Sequence, residues 1–111
     1  MPDMTNSERT STKLADKPLS LEQAMILLKK LDHWNINETG TEITREFKFA
    51  NYYETISFIN TVAWIAHQEN HHPTLIINYN RCKVLYNTHS VNGLSNNDFT
   101  CATRIDSLLK T

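Results

Sequence analysis

The sequence of 111 residues contains few of the residues that mark several classes of protein. It has two glycines, three prolines and two cysteines, and no hydrophobic run approaches the ~20 residues of a membrane span. The low glycine and proline content excludes collagen-like and low-complexity chains, and Cys82 and Cys101 lack disulfide-framework or zinc-finger spacing. Eleven Lys and Arg balance twelve Asp and Glu, so we expect no direct nucleic-acid partner and no membrane association.

A change in composition near residue 17 divides the chain into a tail and a domain. Residues 1–17 are polar and lack hydrophobic periodicity, which predicts a disordered N-terminal tail. Because this segment also lacks the apolar centre of a secretory signal, we expect a cytoplasmic protein. Residues 18–111 hold the hydrophobic periodicity and predict one domain, long enough to bury a core without disulfides or a structural metal.

Hydrophobic periodicity and capping signals predict three helices and two hairpins in this domain. Ser20, Asn51 and Ser95 each precede an acidic or amide residue at the spacing of a helix N-terminus, and Pro73 ends the central helix around residues 69–71. The predicted elements are a helix at 21–31, a hairpin at 34–49, a helix from 52, strands at 74–79 and 83–89 joined by an Asn80-Arg81 turn, and a helix after 95.

The order α-β-β-α-β-β-α predicts an α+β fold. Hairpins separated by helices favour a two-layer sandwich, in which one four-stranded antiparallel sheet carries three helices on one face. Such a sheet has unprotected edges, which favours a homo-oligomer. The central helix has a broad apolar stripe, so we expect it to face a second surface through Tyr53, Phe58 and Ile65.

Four of the five histidines cluster around two predicted strand ends. His67, His71 and His72 lie near the end of the central helix, and His89 would end the last strand at the same sheet edge. Imidazoles both donate and accept protons near neutral pH, so the cluster is compatible with an acid-base site, a metal site, or solvated and core histidines. His67 and His71 have zinc-ligand spacing, but Gln68 replaces the glutamate of an H-E-x-x-H motif.

The run from His67 to Asp98 resembles the signature of the pterin-4a-carbinolamine dehydratases. The likeness extends over about residues 19–109. The residues that carry it, besides the two ends, are His71-His72-Pro73, Tyr79, His89 and Gly93-Leu94-Ser95.

The resemblance implies a lyase that dehydrates 4a-hydroxytetrahydropterin, the carbinolamine left by aromatic amino-acid hydroxylases, to quinonoid dihydropterin and water. It therefore implies a role in tetrahydrobiopterin recycling, a hydroxylase in the same pathway, and no metal or organic cofactor. It also implies a homodimer joined through sheet edges or a tetramer joined through helices. The alternative function is a dimerisation or accessory module that binds a protein partner through the central helix.

The family pattern also implies roles for individual residues. By position, His71 and His89 would form the acid-base pair, and His72 would bind and orient the pterin. The implied substrate contacts are Asn70, His71, His72, Asn87, Thr88, His89 and Ser90. The supporting residues would be His67, Asp98 and Trp34. Asp98 would either cap the last helix or orient an imidazole, and Trp34 would either wall the pocket or pack in the core.

Overall fold

The computed structural model describes residues 17–109, so nearly all of the predicted N-terminal tail lies outside the described residues. The elements are α1 (Leu21–Leu28), β1 (Asn35–Ile36), β2 (Ile43–Lys48), α2 (Tyr52–Glu69), β3 (Thr74–Ile77), β4 (Arg81–Tyr86), a 3₁₀ turn (His89–Val91) and α3 (Asn96–Ser107). The predicted α+β class and the order α-β-β-α-β-β-α are confirmed. None of the helices within this range is long and apolar enough to cross a bilayer.

The four strands form one antiparallel sheet in the order β1-β2-β4-β3. The central pair is β2 and β4, whose register runs from Ile43 opposite Tyr86 to Lys48 opposite Arg81. β3 pairs with the other side of β4, so β1 and β3 are the edge strands. β1 is only two residues long and leaves one end of the sheet narrow, whereas β3 offers a four-residue edge.

Alternating burial along β4 shows that the helices cover one face of the sheet. Cys82, Val84 and Tyr86 are fully buried, whereas Lys83 and Leu85 between them are only half-buried. Successive side chains of a strand point to opposite faces, so the buried set faces the helices. This is the predicted two-layer sandwich.

The central helix begins and ends where the sequence predicts, but only one of the three residues expected on its outer face lies there. The Asn51 side chain accepts a hydrogen bond from the Glu54 backbone at 2.9 Å and caps the start of α2. Phe58 and Ile65 are 6% and 3% exposed, so the expectation that they form an outer contact is wrong. The stripe that carries them packs on the sheet. Tyr53, the third residue of that expectation, does lie on the outer face of α2, together with Trp64.

Two boundaries of the second hairpin also differ from the prediction. Arg81 belongs to β4, and its carbonyl accepts from the Asn78 backbone at 2.9 Å, so the turn residues are Tyr79 and Asn80 rather than Asn80 and Arg81. β4 ends at Tyr86, and His89 begins a 3₁₀ turn instead of ending the strand.

A buried ionic cluster explains the charged residue on the apolar side of β2. Arg45 Nη1 lies 2.8 Å from Asp106 Oδ1, and the same oxygen accepts from Trp34 Nε1 at 2.8 Å. The guanidinium also lies 4.4 Å from the centre of the Phe47 ring. Trp34 is therefore a core residue whose indole N–H is satisfied by a carboxylate.

Candidate active site

The end of α2 presents two consecutive histidines because the helix stops abruptly. Asn70 adopts the left-handed conformation, with φ 51° and ψ 43°, which asparagine tolerates better than most residues. The next backbone N–H, from His71, returns to the Ala66 carbonyl at 3.0 Å and closes a Schellman-type cap. Pro73 then favours an extended backbone at His72. The side chain of His71 is 14% exposed, whereas His72 is exposed.

A fully buried carboxylate holds His71. Asp98 Oδ1 lies 2.5 Å from His71 Nε2, and Asp98 Oδ2 accepts from the Thr88 hydroxyl at 2.7 Å and the Ser95 backbone at 2.9 Å. Asp98 thus both caps α3 and contacts an imidazole, the two uses that the sequence left as alternatives. Because an ionised carboxylate only accepts hydrogen bonds, the tautomer that fits this contact has its proton on Nε2 and leaves Nδ1 unprotonated.

The inner wall behind His71 is aromatic and uncharged. The Tyr86 ring stacks on the imidazole with centroids 5.3 Å apart, and its hydroxyl donates to the His71 carbonyl at 3.2 Å. Burial, with a smaller effect from its hydrogen bond to Cys101, raises the pKa of Tyr86 above its usual range. Burial raises the pKa of Cys101 to about 11. Both groups stay protonated at neutral pH, so they support the imidazole rather than exchange protons.

Three histidines border one open cavity of about 270 Å³. The segment after α2 and the segment after β4 line this cavity from two sides, through Asn70, His71, His72, Pro73, Thr74, Asn87 and His89. We call it the histidine cavity. Its volume is near the lower end for small-molecule sites, and its walls offer both proton carriers and amide groups.

His89 reaches this cavity from a turn. The backbone N–H of Thr88 donates to the Gly93 carbonyl at 2.7 Å, so the chain between them folds into a tight loop. A Cβ at Gly93 would stand 2.8 Å from the Cβ of Pro18, so this loop packs too closely for a larger residue. The Thr88 hydroxyl is used by Asp98. The loop therefore turns away from the sheet, and the predicted strand position of His89 is wrong although its proximity to His71 and His72 is right.

The remaining predicted residues divide between cavity walls and support. Asn70 and Asn87 line the histidine cavity, whereas Thr88 bonds to Asp98 and Ser90 is not among the lining residues. His67 lines an adjoining, more apolar cavity of about 380 Å³, and its ring centre lies 5.8 Å from that of Trp64. Trp34 lies in the core with its indole N–H on Asp106.

Sequence reasoning missed Tyr86 and Glu42. In the sequence, Tyr86 is indistinguishable from the other residues of a β-strand, and its stacking on His71 depends on the turn after α2. Glu42 accepts from the Asn87 amide at 3.1 Å and lines a cavity beside the histidines. The signal that would have found Glu42 is the pairing of Ile43 with Tyr86, which places the neighbouring residues opposite each other.

The described residues offer no evident metal-binding group. Between residues 17 and 109, no three or more His, Cys, Asp or Glu side chains are placed to hold one ion. His67 and His71 share a helical spacing, but Nε2 of His71 faces the Asp98 carboxylate.

Comparisons with known proteins agree with the residue pattern. The sequence profile of the family described as pterin 4 alpha carbinolamine dehydratase matches residues 17–108. A protein of Nitrosospira multiformis, named provisionally as a pterin-4-alpha-carbinolamine dehydratase, is 50% identical over 93 residues, which cover 84% of this chain and 80% of that protein. A protein of Legionella pneumophila (strain Corby) with the same provisional name is 44% identical over 108 residues, which cover 96% of each chain.

Solved structures share the fold. The crystal structure of a transcriptional coactivator/pterin dehydratase from Brucella melitensis matches with a TM-score of 0.79 and 30% identity, over 83% of this chain and 98% of that one. A pterin dehydratase-like protein described as a RuBisCO assembly factor in the alpha-carboxysome matches with a TM-score of 0.61 and 16% identity, over 72% and 93% of the two chains. The second likeness concerns the fold alone.

Proposed function

Because the chain belongs to the pterin 4 alpha carbinolamine dehydratase family, we propose that it dehydrates 4a-hydroxytetrahydropterin to quinonoid dihydropterin by histidine acid-base catalysis. The observation that carries this proposal is the convergence of His71, His72 and His89 on one cavity of about 270 Å³. An assembly module has no physical need for three imidazoles around an open cavity.

The reaction needs one proton given and one taken. The C4a–O bond breaks as the 4a-hydroxyl gains a proton and leaves as water, and the N5–H bond loses its proton as the C4a=N5 double bond forms. No oxidant, reductant or metal is needed to balance the step. Two positioned groups with pKa values near neutral suit this chemistry, because one must be protonated while the other is not.

We assign the base to His71 and the acid to His89. Nε2–H of His71 donates a hydrogen bond to Asp98, which leaves Nδ1 able to take the N5 proton, and the carboxylate then stabilises the imidazolium. His89 is exposed and has no side-chain hydrogen bond within residues 17–109, so it can renew its proton from solvent. His72, beside His71 in the same cavity, would bind the polar edge of the pterin ring.

The proposed cellular role is tetrahydrobiopterin recycling beside an aromatic amino-acid hydroxylase, which would supply the carbinolamine. The test is to add the purified protein to a hydroxylase reaction in which the carbinolamine accumulates, and to follow its decay by absorbance. We expect the decay to exceed the spontaneous rate in proportion to protein concentration. Decay at the spontaneous rate at every concentration would contradict the proposal.

We also propose that the protein is a homo-oligomer, with β3 as a pairing edge. Ile76 and Ile77 on this edge strand are 48% and 44% exposed, and an apolar edge of this kind readily pairs with a second copy. Light scattering at micromolar concentration should give a dimer or a larger assembly. A monomer mass would contradict this, and Ile76→Lys should shift any assembly toward monomer.

The outer face of α2 supports a second candidate function, an accessory module that binds a protein partner. Tyr53 and Trp64 are 83% and 59% exposed on this face, and large apolar side chains exposed on one face mark sites of protein interaction. Tyr53→Ser with Trp64→Ser should leave dehydration unchanged if the face serves only assembly or partner binding. A parallel loss of catalysis would show that the face and the histidine cavity act together.

A further inference from the structure

A second cavity lies beside the histidine cavity and shares two residues with it. This polar cavity has a volume of about 280 Å³, and both cavities are lined by Asn87 and His89. The other lining residues come from the turn before β2 and the loop before α3: Asn37, Thr41, Glu42, Asn92 and Gly93. This lining contains one carboxylate, that of Glu42, and neither lysine nor arginine.

The structure fixes the Glu42 carboxylate in this cavity. The Asn37 side chain accepts from the backbone N–H groups of Thr41 and Glu42 at 2.8 and 3.1 Å, which sets the turn. The Asn87 amide donates to Glu42 Oε2 at 3.1 Å. Within residues 17–109, Oε1 has no hydrogen-bond partner, so it can accept from a ligand. Glu42 is half-buried, which limits the solvent that could screen its charge.

The connectivity of a pterin limits which part of it this carboxylate can face. The reacting atoms are C4a and N5, and His89 borders both the histidine cavity and the polar cavity. On one side of C4a and N5 is the C4 carbonyl, which accepts hydrogen bonds and would be repelled by a carboxylate. On the other side is C6 with its substituent. The N3–H and 2-amino donors lie at the far edge of the bicycle.

We propose that Glu42, held by Asn87, is a specificity-determining residue that selects the pterin substituent at C6. This inference rests on the proposed function. A substituent carrying hydroxyl groups donates a hydrogen bond to Oε1 of Glu42. A substituent carrying a carboxylate or phosphate is repelled by the Glu42 carboxylate, and no lysine or arginine lines the cavity to offset this repulsion. The polar cavity therefore favours neutral hydroxylated pterins over anionic ones.

The test compares wild type, Glu42→Gln and the control Glu46→Gln, which removes an exposed carboxylate from the same segment outside both cavities. Calorimetry under anaerobic conditions would measure Kd for 6-(1,2-dihydroxypropyl)-, 6-methyl- and 6-carboxytetrahydropterin. For Glu42→Gln we expect the first Kd to rise roughly fivefold, the second to change little and the third to fall roughly fivefold. Glu46→Gln should match wild type for all three.

Each other outcome has a definite meaning. If Glu42→Gln raised Kd equally for all three ligands, Glu42 would act on the shared pterin ring or on the turn rather than on the C6 substituent. This result would overturn the proposal. Unchanged affinities would overturn it as well. Thermal unfolding of each variant verifies the fold. If the protein fails to accelerate dehydration but shows the crossed pattern of affinities, the catalytic proposal fails while the selectivity of Glu42 stands. If the protein accelerates dehydration but lacks the crossed pattern of affinities, the catalytic proposal stands while the selectivity of Glu42 fails.

Discussion

Helix α3 carries two buried aspartates, of which only Asp98 contacts a histidine of the candidate site. Asp98 in its first turn contacts His71, whereas Asp106 in its last turn contacts Arg45 and Trp34 in the core. Substitution by asparagine keeps the shape of each side chain and removes its charge. We predict that Asp98→Asn loses turnover and that Asp106→Asn loses stability while its turnover stays near that of wild type.

The effect of Asp98→Asn follows from its hydrogen bonds. An amide has one oxygen that accepts and one NH₂ that donates. The Ser95 N–H and the Thr88 hydroxyl both point at Oδ2, so the amide oxygen is best placed there and the NH₂ then faces His71. Nε2 of His71 must then accept, which moves its proton to Nδ1 and removes the base. We expect turnover to fall roughly 10²-fold, the usual contribution of one positioned base.

The effect of Asp106→Asn is one of stability. Its carboxylate accepts from Trp34 Nε1 and Arg45 Nη1, and the side chain of Arg45 is only 15% exposed. Removing one partner of a buried pair costs about 3–5 kcal/mol, and because the amide oxygen is retained we expect a loss of about 3 kcal/mol. In a domain of this size each kcal/mol lowers Tm by about 4–8 °C, so we expect a fall of about 12–24 °C.

The assay is carbinolamine dehydration followed by stopped-flow absorbance below the Tm of both variants, with the spontaneous rate subtracted. Circular dichroism supplies each melting curve. Equal losses of turnover in the two variants would refute the reasoning, because they would show that any buried charge on α3 matters to the rate. Wild-type turnover in Asp98→Asn would remove Asp98 from the mechanism.

Three further predictions concern the site and the core. His72→Ala should raise KM more than it lowers kcat, because a residue that holds substrate equally in ground and transition states contributes uniform binding. His33 is exposed and does not line the histidine cavity, so the control His33→Ala should match wild type in both constants. Activity should survive exhaustive chelation, and a loss restored by zinc would revive the metal hypothesis. Burial raises the pKa of Cys82 and of Cys101 to about 11, so neither thiol should react with iodoacetamide at neutral pH until the protein is denatured. Because the unfolded thiols ionise first, these groups should lower stability as pH rises from about 9 toward about 11.

The elements of the fold are predictable because local signals agree with one another. The caps at Ser20 and Asn51 and the proline at residue 73 limit α1 and α2, and periodicity within those limits identifies each helix. Boundaries that depend on tertiary contacts are not predictable in this way. β4 ends at Tyr86, and two residues later the Thr88 hydroxyl donates to Asp98, a residue in another element.

The sequence predicts some of the residues around the histidine cavity, but not the contacts between them. The residue pattern from His71 to Asp98 predicts side chains that the structure brings close together, but not that Asp98 bonds to His71 while capping α3. Arg45 shows the same limit. Its charge conflicts with the apolar pattern of β2 until the fold brings Asp106 beside it from 61 residues away. Long-range pairing of this kind requires the register and the helix packing, which no local pattern contains.

The most direct test of the central claim is the rate of carbinolamine dehydration by wild type, His71→Ala and His89→Ala under single-turnover conditions, corrected for the spontaneous reaction. We predict that each substitution lowers the rate roughly 10²-fold while circular dichroism shows an intact fold. Wild-type rates in both variants would contradict the assignment of acid-base catalysis to these two histidines.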